Sequence, residues 1–278
     1  MKNLKLGIKI SVGFGLLILI ACVLGGLAVV NMRSVEVEST RLAKEYVPEV
    51  NVGNAVERAS LLTMVEMRGY GYSENKKELD AGLRNLGELK RALAEAKAHS
   101  DKYPALVKLR EDVGKAQAKA TEYEKLINDT ASRMEAIAGV RRTLDQAATE
   151  FVKNCEGYQS SQSKALIEEI GKGLAPEALK DRAEKVDAIT GILDAGTVIR
   201  IGNYRGQLYR DPRIIEDAVK GFAELDHALE TLRAKTRNDA NLRQLTGIKD
   251  ATQKYRQALL DFLDNYKALQ ELTAKRLD

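Results

Sequence analysis

Four arginines stand where a helix should bury an apolar face. In the stretch IRIGNYRGQLYRDP, Ile199 to Pro212, Arg200, Arg205 and Arg210 sit among Ile199, Ile201, Tyr204, Leu208 and Tyr209. A guanidinium beside an apolar surface can keep its head in water and lay its stem along that surface. It can also grip an anion, because its planar fork of donors matches a carboxylate. Ile189, Ile192, Gly196, Ile199, Asn203 and Gly206 recur three or four residues apart, the spacing of one buried helical stripe. Arg200 lies one step beside that stripe, and Val198, Ile201, Arg205 and Leu208 form its other flank. Arg200 and Arg205 are therefore expected to border the interior, with Asn203 inside it. Arg58, Leu61, Val65, Arg68 and Tyr72 make a second stripe of the same period. A half-buried arginine is costly unless it is paired. An internal salt bridge with one of 40 acidic residues, a bound carboxylate and a dimer interface each satisfy that demand. Arg210, beside Asp211, reads as a surface or capping residue.

Little else suggests chemistry. Cys22 and Cys155 are too far apart in character to form a disulfide framework, one being in an apolar run and one deep in the body. His99 and His227 have no companions at metal-ligand spacing and read as surface residues near helix ends. No phosphate-cradling glycine loop or nucleophile elbow is present. The reading is a non-enzymatic protein with no cofactor and no metal site. Formal net charge is +4, but Lys2, Lys5 and Lys9 supply three of those charges, so the body is balanced. It carries no basic block of the kind that grips nucleic acid.

Residues 10–32 hold no charge over 23 positions, enough for a helix to cross a bilayer. The lysines precede this run and Arg33, Glu36 and Glu38 follow it. The positive-inside rule then places residues 1–9 in the cytoplasm as a short stub and residues 33–278 outside, in a bacterial periplasm. Two cleavage readings stand beside the anchor. Leu19 to Cys22, LIAC, resembles a lipoprotein box, although ten further uncharged, mostly apolar residues follow it. A cleaved signal peptide is the other, with an apolar core of usually ~7–15 residues.

Low proline and abundant Ala, Leu, Glu, Lys and Arg describe an all-α body. Pro104, Pro176 and Pro212 each follow a polar or glycine-rich break and read as first-turn prolines. With breaks at 72–76 and 235–239, the pattern predicts six helices over 34–72, 77–98, 104–171, 176–210, 212–235 and 239–278. Pro48 predicts a kink in the first. The third is long enough to serve two layers, unless it breaks near Gly139 or Gly157. The halves repeat. RGYGY at Arg68 to Tyr72 matches RGQLY at Arg205 to Tyr209 with an offset of 137, which becomes 136 after one gap. A repeat of this size suggests two stacked modules.

A basic stub, one membrane span and about 245 residues of helix resemble the front of a methyl-accepting chemotaxis protein. The size and bimodular pattern are similar to the helical bimodular sensor domain. EMRGYGYSEN resembles the Arg-x-Tyr close of a sensor's first helix. IRIGNYRGQLYRDP resembles the arginine-rich fourth helix of that family, and YQSSQSKAL the glutamine-bearing end of its long third helix. The resemblance implies six helices forming two stacked antiparallel four-helix bundles. It implies a small organic acid held between helices, with ligand arginines at Arg58, Arg68, Arg200 and Arg205, and with Asn203, Tyr72 and Tyr204 supplying hydrogen bonds. It also implies a parallel homodimer, weak without ligand, in the inner membrane. The same sensor fold occurs in histidine kinases that dock a periplasmic binding protein, and a membrane-anchored helical spacer is a further alternative. The sequence closes on ELTAKRLD with no second span or cytoplasmic hairpin, so the expectation is a sensor fragment that reaches its signalling partners through a region absent from this chain.

The topology is directly testable. A reporter fused after Leu277 should be active only when it requires the periplasm. Activity of a cytoplasm-only reporter at that position would overturn the orientation.

Overall fold

The computed structural model describes residues 6–277. Eight α-helices follow in order: α1 (Leu6–Arg41), α2 (Val47–Ser73), α3 (Lys76–Lys102), α4 (Val107–Gly171), α5 (Pro176–Tyr209), α6 (Pro212–Lys220), α7 (Phe222–Ala234) and α8 (Asp239–Leu277). No strand occurs among the described residues, so the fold class is all-α. The expected cytoplasmic stub falls largely on residues 1–5, outside the described residues. α1 is long and apolar enough to cross a membrane, and none of its residues is buried.

The chain divides into two compact units, residues 1–124 and 125–278, with the boundary inside α4. In the first unit α1 continues into α2 through a π turn, Leu42–Tyr46. Here the N–H of Val47 reaches the carbonyl of Leu42, five residues back. Pro48 follows at once and has no N–H to give the preceding turn. The looser turn stands directly before the proline at which a kink was expected. His99 of α3 bonds the Glu45 carbonyl through Nε2 at 2.8 Å, tying the π turn to the neighbouring helix.

The buried stripe of α2 is Ala59, Thr63, Met67 and Tyr70. It meets Leu86, Leu89, Leu93 and Ala96 of α3, while Leu106, Val113 and Ala120 supply the rest of the core at seven-residue spacing. This corrects the first of the two expected seams. Arg58, Leu61, Val65, Arg68 and Tyr72 share a face, but that face is exposed. α2 carries two stripes on roughly opposite faces of the helix. The one with small and flexible side chains wins the interior, because Gly82 of α3 brings the backbones close enough that an added Cβ would lie 2.7 Å from Met67 Sδ.

In the second unit one core joins Ile137 to Tyr158 of α4, Ile189 to Ile199 of α5, Ile215 of α6, Phe222 to Leu232 of α7 and Leu245 to Leu263 of α8. Ile189, Ile192, Gly196, Ile199, Asn203 and Gly206 are all buried, so the α5 stripe read from spacing is the buried one. Its flank is corrected: Val198, Ile201, Arg205 and Leu208 are exposed. The small residues on α5 let α6 approach closely. A Cβ on Gly202 would lie 2.6 Å from Ala218 Cβ, and one on Gly206 would collide with Ile215.

Pro176 and Pro212 open α5 and α6 as expected, whereas Pro104 lies in a turn and α4 begins at Val107. α4 runs unbroken past Gly139 and Gly157. The expected helix 212–235 is interrupted at Gly221, which packs against Ile199 and bonds back to the Ala218 carbonyl. The repeat has a structural counterpart. α2 ends on Glu74 and α5 on Arg210, both left-handed at φ 58° and 55°, and neither is glycine. The next residue in each case, Asn75 or Asp211, caps the following helix by accepting from the N–H two residues on, both at 3.0 Å. The two turns stand 136 residues apart.

Glycine substitutions separate close packing from helix propensity. Gly206→Val should lower the melting temperature of the full chain by about 5 °C, since overpacking costs roughly 1–3 kcal/mol. Gly87→Ala, in open space on α3, should leave it unchanged or raise it slightly, by up to about 1 kcal/mol of stability. Thermal melts of the two variants check both.

Candidate functional site

The candidate site lies in the second unit, where α5 faces α4, α7 and α8. Two of the arginines there pair with acids. Arg182 forms an ion pair with Glu169 at 2.6 Å and also donates to Gln162 Oε1 at 2.6 Å. Their hydrogen bond holds the Glu169 carboxyl below the usual range and raises Arg182. Arg256 pairs with Asp226 and covers the face of Phe222, 4.7 Å from its centroid. The glutamine-bearing end of α4 is likewise internally bonded: the Tyr158 hydroxyl meets Thr236 Oγ1 at 2.8 Å, and Ser161 donates to Asn241 at 3.0 Å.

Arg200 differs. It is half-buried, its Nε is fully enclosed, and among the described residues it has neither a hydrogen-bond partner at Nε nor an ion pair. It lines a cavity of about 20 Å³, together with Phe151 of α4, Phe222 and Leu225 of α7, and Thr252 and Tyr255 of α8. That volume holds about one water. Thr252, only 2% exposed, also has no partner for its hydroxyl.

Asn203 belongs to a relay of directed hydrogen bonds across three helices. Arg141 Nε donates to Gln207 Oε1 at 3.0 Å, Gln207 Nε2 to Asn203 Oδ1 at 2.8 Å, and Asn203 Nδ2 to the Tyr255 hydroxyl at 3.1 Å. A guanidinium can only donate, so Arg141 fixes the orientation of both amides and the direction of the whole chain. Burial pushes the Tyr255 hydroxyl up to about 12, although Asn203 and Arg200 pull it down. It therefore stays protonated throughout the physiological range.

The remaining expected site residues are dispersed. Tyr204 is 51% exposed on α5, and Arg205 points outward with the Val198 and Leu208 face. In the first unit Arg68 and Tyr72 are exposed. Arg58 borders an open groove of about 530 Å³ between α2 and α3, beside Glu88, Arg91 and Glu95. Glu88 and Arg91 there already pair with each other. The structure thus brings Arg200 and Asn203 to one region and leaves Arg58, Arg68, Tyr72, Tyr204 and Arg205 at the surface.

Thr252, Tyr255, Gln207 and Arg141 escaped the reading of arginine seams. Their signal was present: Thr252 and Tyr255 interrupt the stripe Ile248, Leu259, Phe262 of α8, and Gln207 follows Asn203 by one turn. Polar residues inside an apolar stripe are the pattern to look for. No protein-family model, no curated protein and no solved structure matches the chain.

The relay predicts a non-additive pair. Asn203→Leu leaves the Tyr255 hydroxyl buried without a partner and should cost about 1–3 kcal/mol. Tyr255→Phe in the same background should recover part of that loss, with a coupling of about 1 kcal/mol in a double-mutant cycle. Denaturant titration of the four proteins measures it, and strict additivity would show that the relay carries no shared energy.

Proposed function

We propose that the chain is the extracytoplasmic ligand-sensing part of a bacterial chemoreceptor, anchored by residues 10–32 with its N-terminus in the cytoplasm. Its two units are, in this reading, the two stacked four-helix modules of such a sensor. The ligand is a small organic acid bound between helices. One observation carries this: Arg200 is a half-buried arginine of the second unit with no acidic partner among the described residues, whereas Arg182 and Arg256 pair with Glu169 and Asp226. Internal pairing, the bland account of a seam arginine, does not apply to it.

The size of the cavity adds mechanism. The cavity, about 20 Å³, is small for an organic acid, so in this reading a carboxylate reaches Arg200 as α5 shifts against α8. Binding and helix displacement are then one event, and the displacement is the signal passed toward the membrane. Asn203 lies one turn from Arg200 and is bonded to Tyr255 of α8, so opening strains or breaks that link. The exposed apolar stripes on α2 (Val50, Leu61, Val65) and α5 (Val198, Ile201, Leu208) suit weak association of two copies. A second reading, docking of a protein partner, is favoured by Ile167, Ile170 and Leu174, all exposed at the α4–α5 turn.

Calorimetric titration of the full chain in detergent with a panel of small organic acids tests the first reading. Charge-assisted hydrogen bonds contribute about 1.5–3 kcal/mol, so Arg200→Ala should weaken binding by roughly tenfold to a hundredfold and leave the melting temperature near that of wild type. No binding by any acid, or a lowered melting temperature with unchanged binding, would overturn the site. Loss of partner capture in Ile167→Glu with no acid response would favour the docking reading.

A further inference from the structure

We infer that the bond between His99 and the π turn is a proton-operated clasp: charging His99 tightens the hold of α3 on the turn that joins the apolar helix to α2. The stimulus is the proton itself, and the inference does not depend on the organic-acid reading.

The chemistry of the contact fixes where that proton goes. His99 Nε2 lies 2.8 Å from the Glu45 carbonyl oxygen. A carbonyl only accepts, so Nε2 carries a hydrogen in the neutral imidazole as well as in the charged one. Nδ1 is left with its lone pair, and the ring makes no other hydrogen bond among the described residues. A proton therefore adds at Nδ1 without breaking the bond at Nε2. It converts a neutral hydrogen bond into a charge-assisted one, which is shorter and roughly twice as strong. Histidine is the side chain whose ordinary charge change falls between about pH 5 and 8.

The surroundings can receive the charge. The Glu45 side chain is only 17% exposed, and its Oε2 is enclosed without a hydrogen-bond partner. Arg41, shared with Glu38, stands 3.8 Å from that oxygen. A charge on His99 arises within the span of the same glutamate. The Tyr103 ring lies 5.0 Å from the imidazole, within the range at which an aromatic ring attracts a cation. Other charges nearby are matched: Asp101 meets Lys97 at 2.8 Å and Arg110 of α4 at 3.9 Å. Lys44 and Glu49 flank the turn with opposite signs. Lys102, 5.4 Å from the Tyr103 ring, opposes a second cation, whereas Glu95, one turn before His99, favours it.

The backbone of the turn uses the bond. The Val47 N–H reaches back five residues to Leu42, and Pro48 has no N–H to give. The carbonyls of this turn are one backbone donor short, and His99 supplies a donor from another helix. Because α1 runs into α2 here, the strength of this bond sets how firmly α3 restrains the apolar helix. The hold is strongest with His99 charged and weakens as pH rises through its titration.

The test uses the full chain in detergent, with nitrogen-labelled histidine and amide hydrogen exchange followed between about pH 5 and 8. The ring nitrogen shifts should show neutral His99 as the Nε2–H tautomer. They are assigned by their persistence in His227→Gln, a change at an exposed position. Protection of the Val47 N–H, corrected for the intrinsic effect of pH on exchange, should be about fivefold greater at the acid end, the difference between a neutral and a charge-assisted hydrogen bond. Its midpoint should coincide with that of the ring. In His99→Gln the side chain still donates to the carbonyl but takes up no charge, so protection should not vary with pH. A neutral Nδ1–H tautomer, wild-type protection independent of pH, or a pH response that persists in His99→Gln would each overturn the clasp. The tautomer and the midpoints are read without any change at His99, so they decide the matter even where His99→Gln folds poorly. Neither readout involves Arg200 or an added acid, so the clasp and the organic-acid site stand or fall separately.

Discussion

The close approach of α5 to its neighbours is the constraint on which the second unit depends. Glycines at 196, 202 and 206 leave no room for a Cβ against Phe151, Ala218 and Ile215. Glycine in a helix interior costs roughly 0.5–1 kcal/mol relative to alanine, and here that cost is offset by burying α6 against the α5 backbone. The same contacts fix the rotation of α5. With Gly196, Gly202 and Gly206 pinned, Asn203 must face the core and Arg200 must lie at its edge, while Arg205 is carried outward. The positions of the polar groups follow from the fit of the small ones.

Within that frame the arginines sort by what surrounds them. Arg182 and Arg256 each find a carboxylate on a facing helix, and Arg141 is spent on an amide relay and on the face of Phe262, 5.7 Å from its centroid. Arg200 is set among aromatic and aliphatic side chains instead. Two of the buried polar atoms left without a partner, Arg200 Nε and Thr252 Oγ1, belong to residues that line one cavity.

The helices were legible because proline, polar breaks and the three-four period are local signals. α5 through Pro176, Pro212 and the Ile189–Gly206 stripe is the clearest case. The left-handed ends at Glu74 and Arg210 could be matched as a repeat, but their geometry could not be foreseen, since neither residue is glycine. The α2 seam misled because that helix has two apolar stripes and periodicity cannot say which one a neighbour will cover. Gly82, on a different helix, decides it. The site was half legible. Arg200 and Asn203 stood out on α5, but Thr252 and Tyr255 gain their meaning only once α8 lies beside them.

The π turn before Pro48 has a consequence for the helix as a mechanical element. A turn closed by a five-residue step contains one residue more than its α-helical equivalent. Each residue advances a helix by about 100°. Residues before Leu42 are therefore out of angular phase with those after Tyr46, although the rod is continuous. The angular register between the apolar helix and α2 is thus set at this turn, where His99 also holds the Glu45 carbonyl to α3.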